Sequence, residues 1–89
     1  MQRQDKSILR NMIAARLCRF RKEKRLTQED MAERLSITPR SYSDLERGKC
    51  GCSAPMAIRF LLLLGDEDAV HLLHSIYEQM EEGEPHDIV

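Results

Sequence analysis

The chain has no tryptophan, two tyrosines, two phenylalanines and three cysteines. With so few aromatics, any core must come mainly from aliphatic and methionine side chains. An odd cysteine count does not suit a secreted disulfide framework. The longest strictly apolar run is Phe60-Leu61-Leu62-Leu63-Leu64, far short of the roughly twenty residues that span a bilayer. The opening MQRQDKS has no apolar stretch of the kind that marks a secretory signal. Reduced thiols in a cytoplasm and no membrane partner are therefore expected. There is no glycine-rich phosphate loop, no histidine–carboxylate–nucleophile set and no pair of acids in a plausible cleft. Neither an enzyme nor a cofactor is expected. No segment alternates as a strand would, and no internal repeat or linker interrupts the chain.

Its 89 residues suffice for one domain and are too few for two. Charged residues make up 33% and hydrophobic residues 42%, so one modest core can form under a well-solvated surface. Net charge is only −1, but it is unevenly spread. Residues 1–49 hold thirteen Lys/Arg against seven Asp/Glu, or +6; residues 50–89 hold one against eight, or −7. A basic first half joined to an acidic second half suggests a polyanion-binding face at one end.

The apolar spacing is helical throughout. Ile8, Met12, Ile13, Leu17 and Phe20 give one face of a long first helix, with Asp5 or Ser7 as its cap. The cations Arg19, Arg21, Lys22, Lys24 and Arg25 suit its C-terminal end. Thr27-Gln28-Glu29-Asp30 reads as a cap and an acidic first turn for a second helix over about 27–35. Thr38-Pro39 opens a third over about 38–47, with Tyr42 and Leu45 inward and Gly48 as a left-handed stop. Ser53 or Ala54 starts a fourth that runs to Leu64. Gly65 ends it, and Asp66 caps a fifth. Residues 1–82 form the domain on this reading, and residues 83–89, GEPHDIV, a flexible tail.

The second and third helices, joined by a turn of three to four residues, have the form of a helix-turn-helix. The run LTQEDMAERLSITPRSYSDLERG, Leu26 to Gly48, closely resembles the phage-repressor and Cro-like helix-turn-helix family, also called the xenobiotic-response-element family of bacterial regulators. The matching residues are Leu26-Thr27-Gln28, Ala32, Leu35-Ser36-Ile37-Thr38 and Ser43-Asp44-Leu45-Glu46-Arg47-Gly48. The resemblance implies an all-α, five-helix lambda-repressor-like DNA-binding domain. It implies a structural ion pair between Arg21 and Glu46, with Ala32 at the helix crossing and Ile37 plugging the turn. It also implies that Gln28 holds a phosphate and that Thr38, Pro39, Arg40, Ser41, Ser43 and Asp44 face the major groove. Arg40 is the foremost base reader, because its fork matches guanine O6 and N7. Lys49, and with it Arg47, is expected to meet the DNA backbone. Pro39 offers only apolar contact, and Asp44 would face cytosine N4 or repel a phosphate.

The expected function is that of a small transcriptional regulator binding double-stranded DNA. A helix-turn-helix used as a protein-interaction module, antitoxin-like, is the alternative. The last two helices carry more apolar surface than so small a domain buries alone. Val70, Leu73, Ile76, Tyr77 and Met80 are either plain core or, since the resemblance implies two copies on a near-palindromic operator, candidates for a homodimer interface.

The stretch KCGCSAP, Lys49 to Pro55, holds two thiols. A closed zinc site needs four ligands, but Cys18, Cys50, Cys52, His71 and His74 have no spacing that gathers them, so no metal is expected. The preceding cations and the following helix start would lower a thiol pKa. A thiol-sensing regulator is therefore a minor alternative, against which a Cys50–Cys52 disulfide would be strained.

Overall fold

Three hydroxyl side chains set where the middle helices begin. Thr27 Oγ1 accepts the Asp30 N–H at 3.0 Å, Thr38 Oγ1 the Ser41 N–H at 3.1 Å, and Ser53 Oγ the Met56 N–H at 3.3 Å. Each cap satisfies a donor that the helix itself cannot, and is worth about 1 kcal/mol. At Thr27 the bond is reciprocated, since its own N–H reaches Asp30 Oδ2 at 3.0 Å. The Thr27 backbone N–H, and after it the Thr27 hydroxyl, hold the Asp30 carboxyl below the usual carboxylate range.

The computed structural model describes residues 3–82; the expected tail, 83–89, lies outside them. The element order is α1 (Arg3–Glu23), α2 (Gln28–Leu35), α3 (Pro39–Glu46), α4 (Ala54–Leu64) and α5 (Asp66–Glu82). Among the described residues there is no strand, and no helix is long and apolar enough to cross a membrane. The all-α, five-helix expectation holds.

The expected caps of α1 and α5 do not. Asp5 and Ser7 lie inside α1, which already begins at Arg3. Asp66 is the first residue of α5, where its charge favours the helix N-terminus. The Gly65 carbonyl takes the first α5 bond, from the Ala69 N–H at 2.8 Å, so Gly65 both ends α4 and starts α5.

The core runs through all five helices. Ile13, Leu17 and Phe20 of α1 meet Met31, Ala32 and Leu35 of α2 and Tyr42 and Leu45 of α3. Met56, Phe60 and Leu64 of α4 close over them with Leu72 and Ile76 of α5. The chain's two phenylalanines, Phe20 and Phe60, meet edge to face with centroids 6.0 Å apart, an arrangement that favours the ring quadrupoles. Ala32 is 1% exposed, so a larger side chain would force α2 from its neighbours. Ile37 packs against the core from the turn between α2 and α3. That turn needs a left-handed residue, which Ser36 supplies at φ 60°.

Candidate nucleic-acid interface

One carboxylate fixes the angle between α1, α2 and α3. Glu46, the last residue of α3, accepts two parallel bonds from Arg21 of α1: Nε to Oε2 at 2.8 Å and Nη2 to Oε1 at 2.9 Å. Gln28, the first residue of α2, donates Nε2 to Oε1 at 3.0 Å, and the Tyr42 hydroxyl donates to Oε2 at 2.6 Å. These four donors match the roughly four lone-pair sites of a carboxylate. The remaining Arg21 nitrogen, Nη1, donates to the Leu26 carbonyl at 3.2 Å. The Glu46 side chain is only 8% exposed. Burial alone would raise its pKa, but the bonds from Arg21, Tyr42 and Gln28 outweigh burial and hold it at about 2. The same bond to Glu46 pushes Arg21 further above its ordinary value. Burial, and then the bond to Glu46, raises the Tyr42 hydroxyl.

With α3 so held, its first turn points outward. Thr38, Pro39, Arg40 and Ser41 are all exposed. Thr38 and Ser41 are tied to each other, since the Thr38 hydroxyl also donates to Ser41 Oγ at 3.0 Å. Arg40 forms no ion pair with any described residue, so its guanidinium is available to a ligand. Ser43 and Asp44 are half-buried, less open than a surface facing a groove would suggest. Asp44 Oδ1 lies 3.8 Å from Arg47 Nη2. That loose pair offsets the acid's charge, and it also draws on the cation assigned to the DNA backbone.

Gln28 differs from expectation in a similar way. Its amide nitrogen is spent on Glu46, so what remains for a phosphate is the other amide N–H and the backbone. Lys49 is exposed beyond the helix stop; its N–H bonds the Asp44 carbonyl at 2.9 Å. Gly48 takes the left-handed φ of +73° that the stop requires.

The dimer candidates divide by helical face. Ile76 is 7% exposed and belongs to the core, and Met80 is half-buried against it. Val70, Leu73 and Tyr77 are about half exposed or more, along with Ile58 and Leu62 of α4, which the stripe-reading of α5 missed. The available signal was the apolar run of α4, which encircles that helix although only one side of it can face the core.

All three cysteines are free thiols. Cys50 is exposed and Cys52 half-buried, and burial pushes the Cys52 thiol up, against the lowering expected from its neighbours. Among the described residues, no three His, Cys, Asp or Glu side chains gather as metal ligands would.

Two capped helices meeting at a short turn, with the second clamped to the first helix of the domain and its opening turn bare, define a helix-turn-helix protein. The profile of the helix-turn-helix domain family matches residues 13–73, and the chain belongs to that family. The crystal structure of the clp gene regulator ClgR from Corynebacterium glutamicum is similar. It is 28% identical, with a TM-score of 0.62 over 84% of this chain and 83% of that one. No curated protein matches the sequence significantly.

Proposed function

We propose that the protein is a transcriptional regulator of the Cro-like kind. In this reading it lays α3 in the major groove of double-stranded DNA and blocks or recruits polymerase there. The observation that carries the reading is the bare first turn of α3, with Arg40 unpaired, on a helix whose orientation Glu46 fixes from four sides. Arg40 would grip a guanine edge, and Thr38, Pro39 and Ser41 would contact neighbouring bases or phosphates. Ser43 and Asp44 would stand at the margin of the contact. Lys49, the α2 start at Gln28, and Arg47 as far as Asp44 releases it would hold the backbone. Such a domain binds rather than catalyses.

The exposed apolar residues of α4 and α5 support a homodimer on a near-palindromic site, one copy per half-site. The same patch favours the second reading, in which it docks a different protein, antitoxin-like. Titrating labelled duplex DNA at rising salt separates the two. Phosphate contacts make affinity fall steeply with salt. A protein that retards no genomic fragment even at low salt would end the regulator reading.

A further inference from the structure

Residues 3–12 of α1 precede the segment that matches the helix-turn-helix family, yet they are helical and anchored. Leu9 and Met12 pack against the core. Lys6 and Arg10 lie one turn apart, on the side of α1 that carries Leu9. Lys6, Leu9, Arg10, Gly51 and Cys52 line a cavity of about 300 Å³, and no carboxylate is among them. Lys6, Arg10 and Lys49 form no ion pair among the described residues. Arg10 Nε is buried without a hydrogen-bond partner among the described residues, a costly state for a charged donor.

The loop that walls this cavity also borders the proposed reading surface. Gly51 and Cys52 line a second cavity, of about 170 Å³, together with Ser41 of α3. Asn11 Oδ1 stands 3.6 Å from where a side chain at Gly48 would begin, so α1 reaches the end of α3 as well. At Gly51 a Cβ would meet nothing within 4 Å, which leaves the loop backbone open to a ligand.

We propose that Lys6 and Arg10, with Lys49 and the Gly51 backbone, form a phosphodiester-binding patch that extends the DNA footprint from α3 onto the first turns of α1. The inference rests on the DNA reading above. The ligand class follows from the chemistry: a guanidinium fork and an ammonium beside an open backbone suit a phosphodiester. A duplex lying along α3 would bring such groups in series. The patch would add affinity without sequence preference, because it touches no base.

The test is a salt titration of a fluorescein-labelled random-sequence duplex with the full chain. Lys6→Gln combined with Arg10→Gln is compared with Arg19→Gln combined with Arg59→Gln, which removes two exposed cations lining neither cavity. The first pair should lower the slope of log affinity against log salt by nearly two. It should weaken binding roughly ten-fold at moderate salt, equally on every sequence. Arg10→Lys, which keeps the charge, should restore most of the slope and so separates loss of phosphate contact from loss of fold. A slope equal to wild type, or a drop no larger than that of the control pair, overturns this patch and leaves the DNA reading standing. A wild-type protein that binds no duplex at low salt removes both.

Discussion

Gln28 and Glu46 hold the two helices of the helix-turn-helix at their far ends, through an amide-to-carboxylate bond of 3.0 Å between the first residue of α2 and the last of α3. Arg21 completes the clamp from α1. Glu46→Gln leaves the half-buried Arg21 without its counter-ion, and should lower the unfolding free energy by about 2 kcal/mol. Gln28→Ala removes one bond to a charged acceptor and should cost about 1–2 kcal/mol. Urea unfolding followed by circular dichroism measures both. A Glu46→Gln protein as stable as wild type would remove the clamp from the account.

The same carboxylate makes stability depend on pH in a stated window. Glu46 titrates at about 2 in the fold against 4.5 ordinarily, so folding favours its charged form. That contribution is complete above about pH 5 and is lost as pH falls toward 2. The difference in thermal midpoint between wild type and Glu46→Gln should therefore be flat near neutrality and shrink below pH 5. A difference that stays constant down to pH 2 contradicts the assignment.

Where the sequence was legible, the signals were local. Thr27, Thr38 and Ser53 carry both the helix periodicity and the capping chemistry, and all three cap as their spacing suggests. Asp5, Ser7 and Asp66 are also cap-type residues, but a favourable charge or hydroxyl near a helix start does not say whether the backbone has already turned helical. Ile76 and Tyr77 show a second limit. They are neighbours on one apolar stripe, and only the packing of α5 against α1 and α4 decides that one is buried and the other bare. Asp44 and Arg47 pair locally, three residues apart, whereas the partner of Gln28 depends on where α3 ends relative to α2, which no residue type reports. The same holds for the approach of Lys6 and Arg10 to the Gly51 loop, made by elements forty residues apart in the chain.

If two copies meet through α4 and α5, a charge on that patch should split them. Leu62→Asp should give a monomer by sedimentation and leave helicity unchanged, because Leu62 is 75% exposed, and Leu73→Asp, at a half-exposed position, should do the same. Ile76→Asp should instead unfold the domain, since it buries an unpaired acid. A wild-type protein that sediments as a clean monomer at high concentration refutes the dimer.

The half-buried Cys52, whose pKa burial raises, is a poor thiolate at neutral pH. Cys50→Ser with Cys52→Ser should leave the response of DNA affinity to mild peroxide unchanged. If peroxide weakens wild-type binding and the double serine variant is immune, the thiol-sensing alternative is restored.

The central claim is that α3 reads base edges through Arg40, and it is tested most directly by comparing two variants on two duplexes. The duplexes are the tightest fragment selected from the host genome and a random sequence. Arg40→Ala should cost about 1–3 kcal/mol on the selected site and much less on the random one. Lys49→Ala should weaken both about equally and reduce the salt slope by about one. An Arg40→Ala protein that keeps its full preference for the selected fragment would contradict the account.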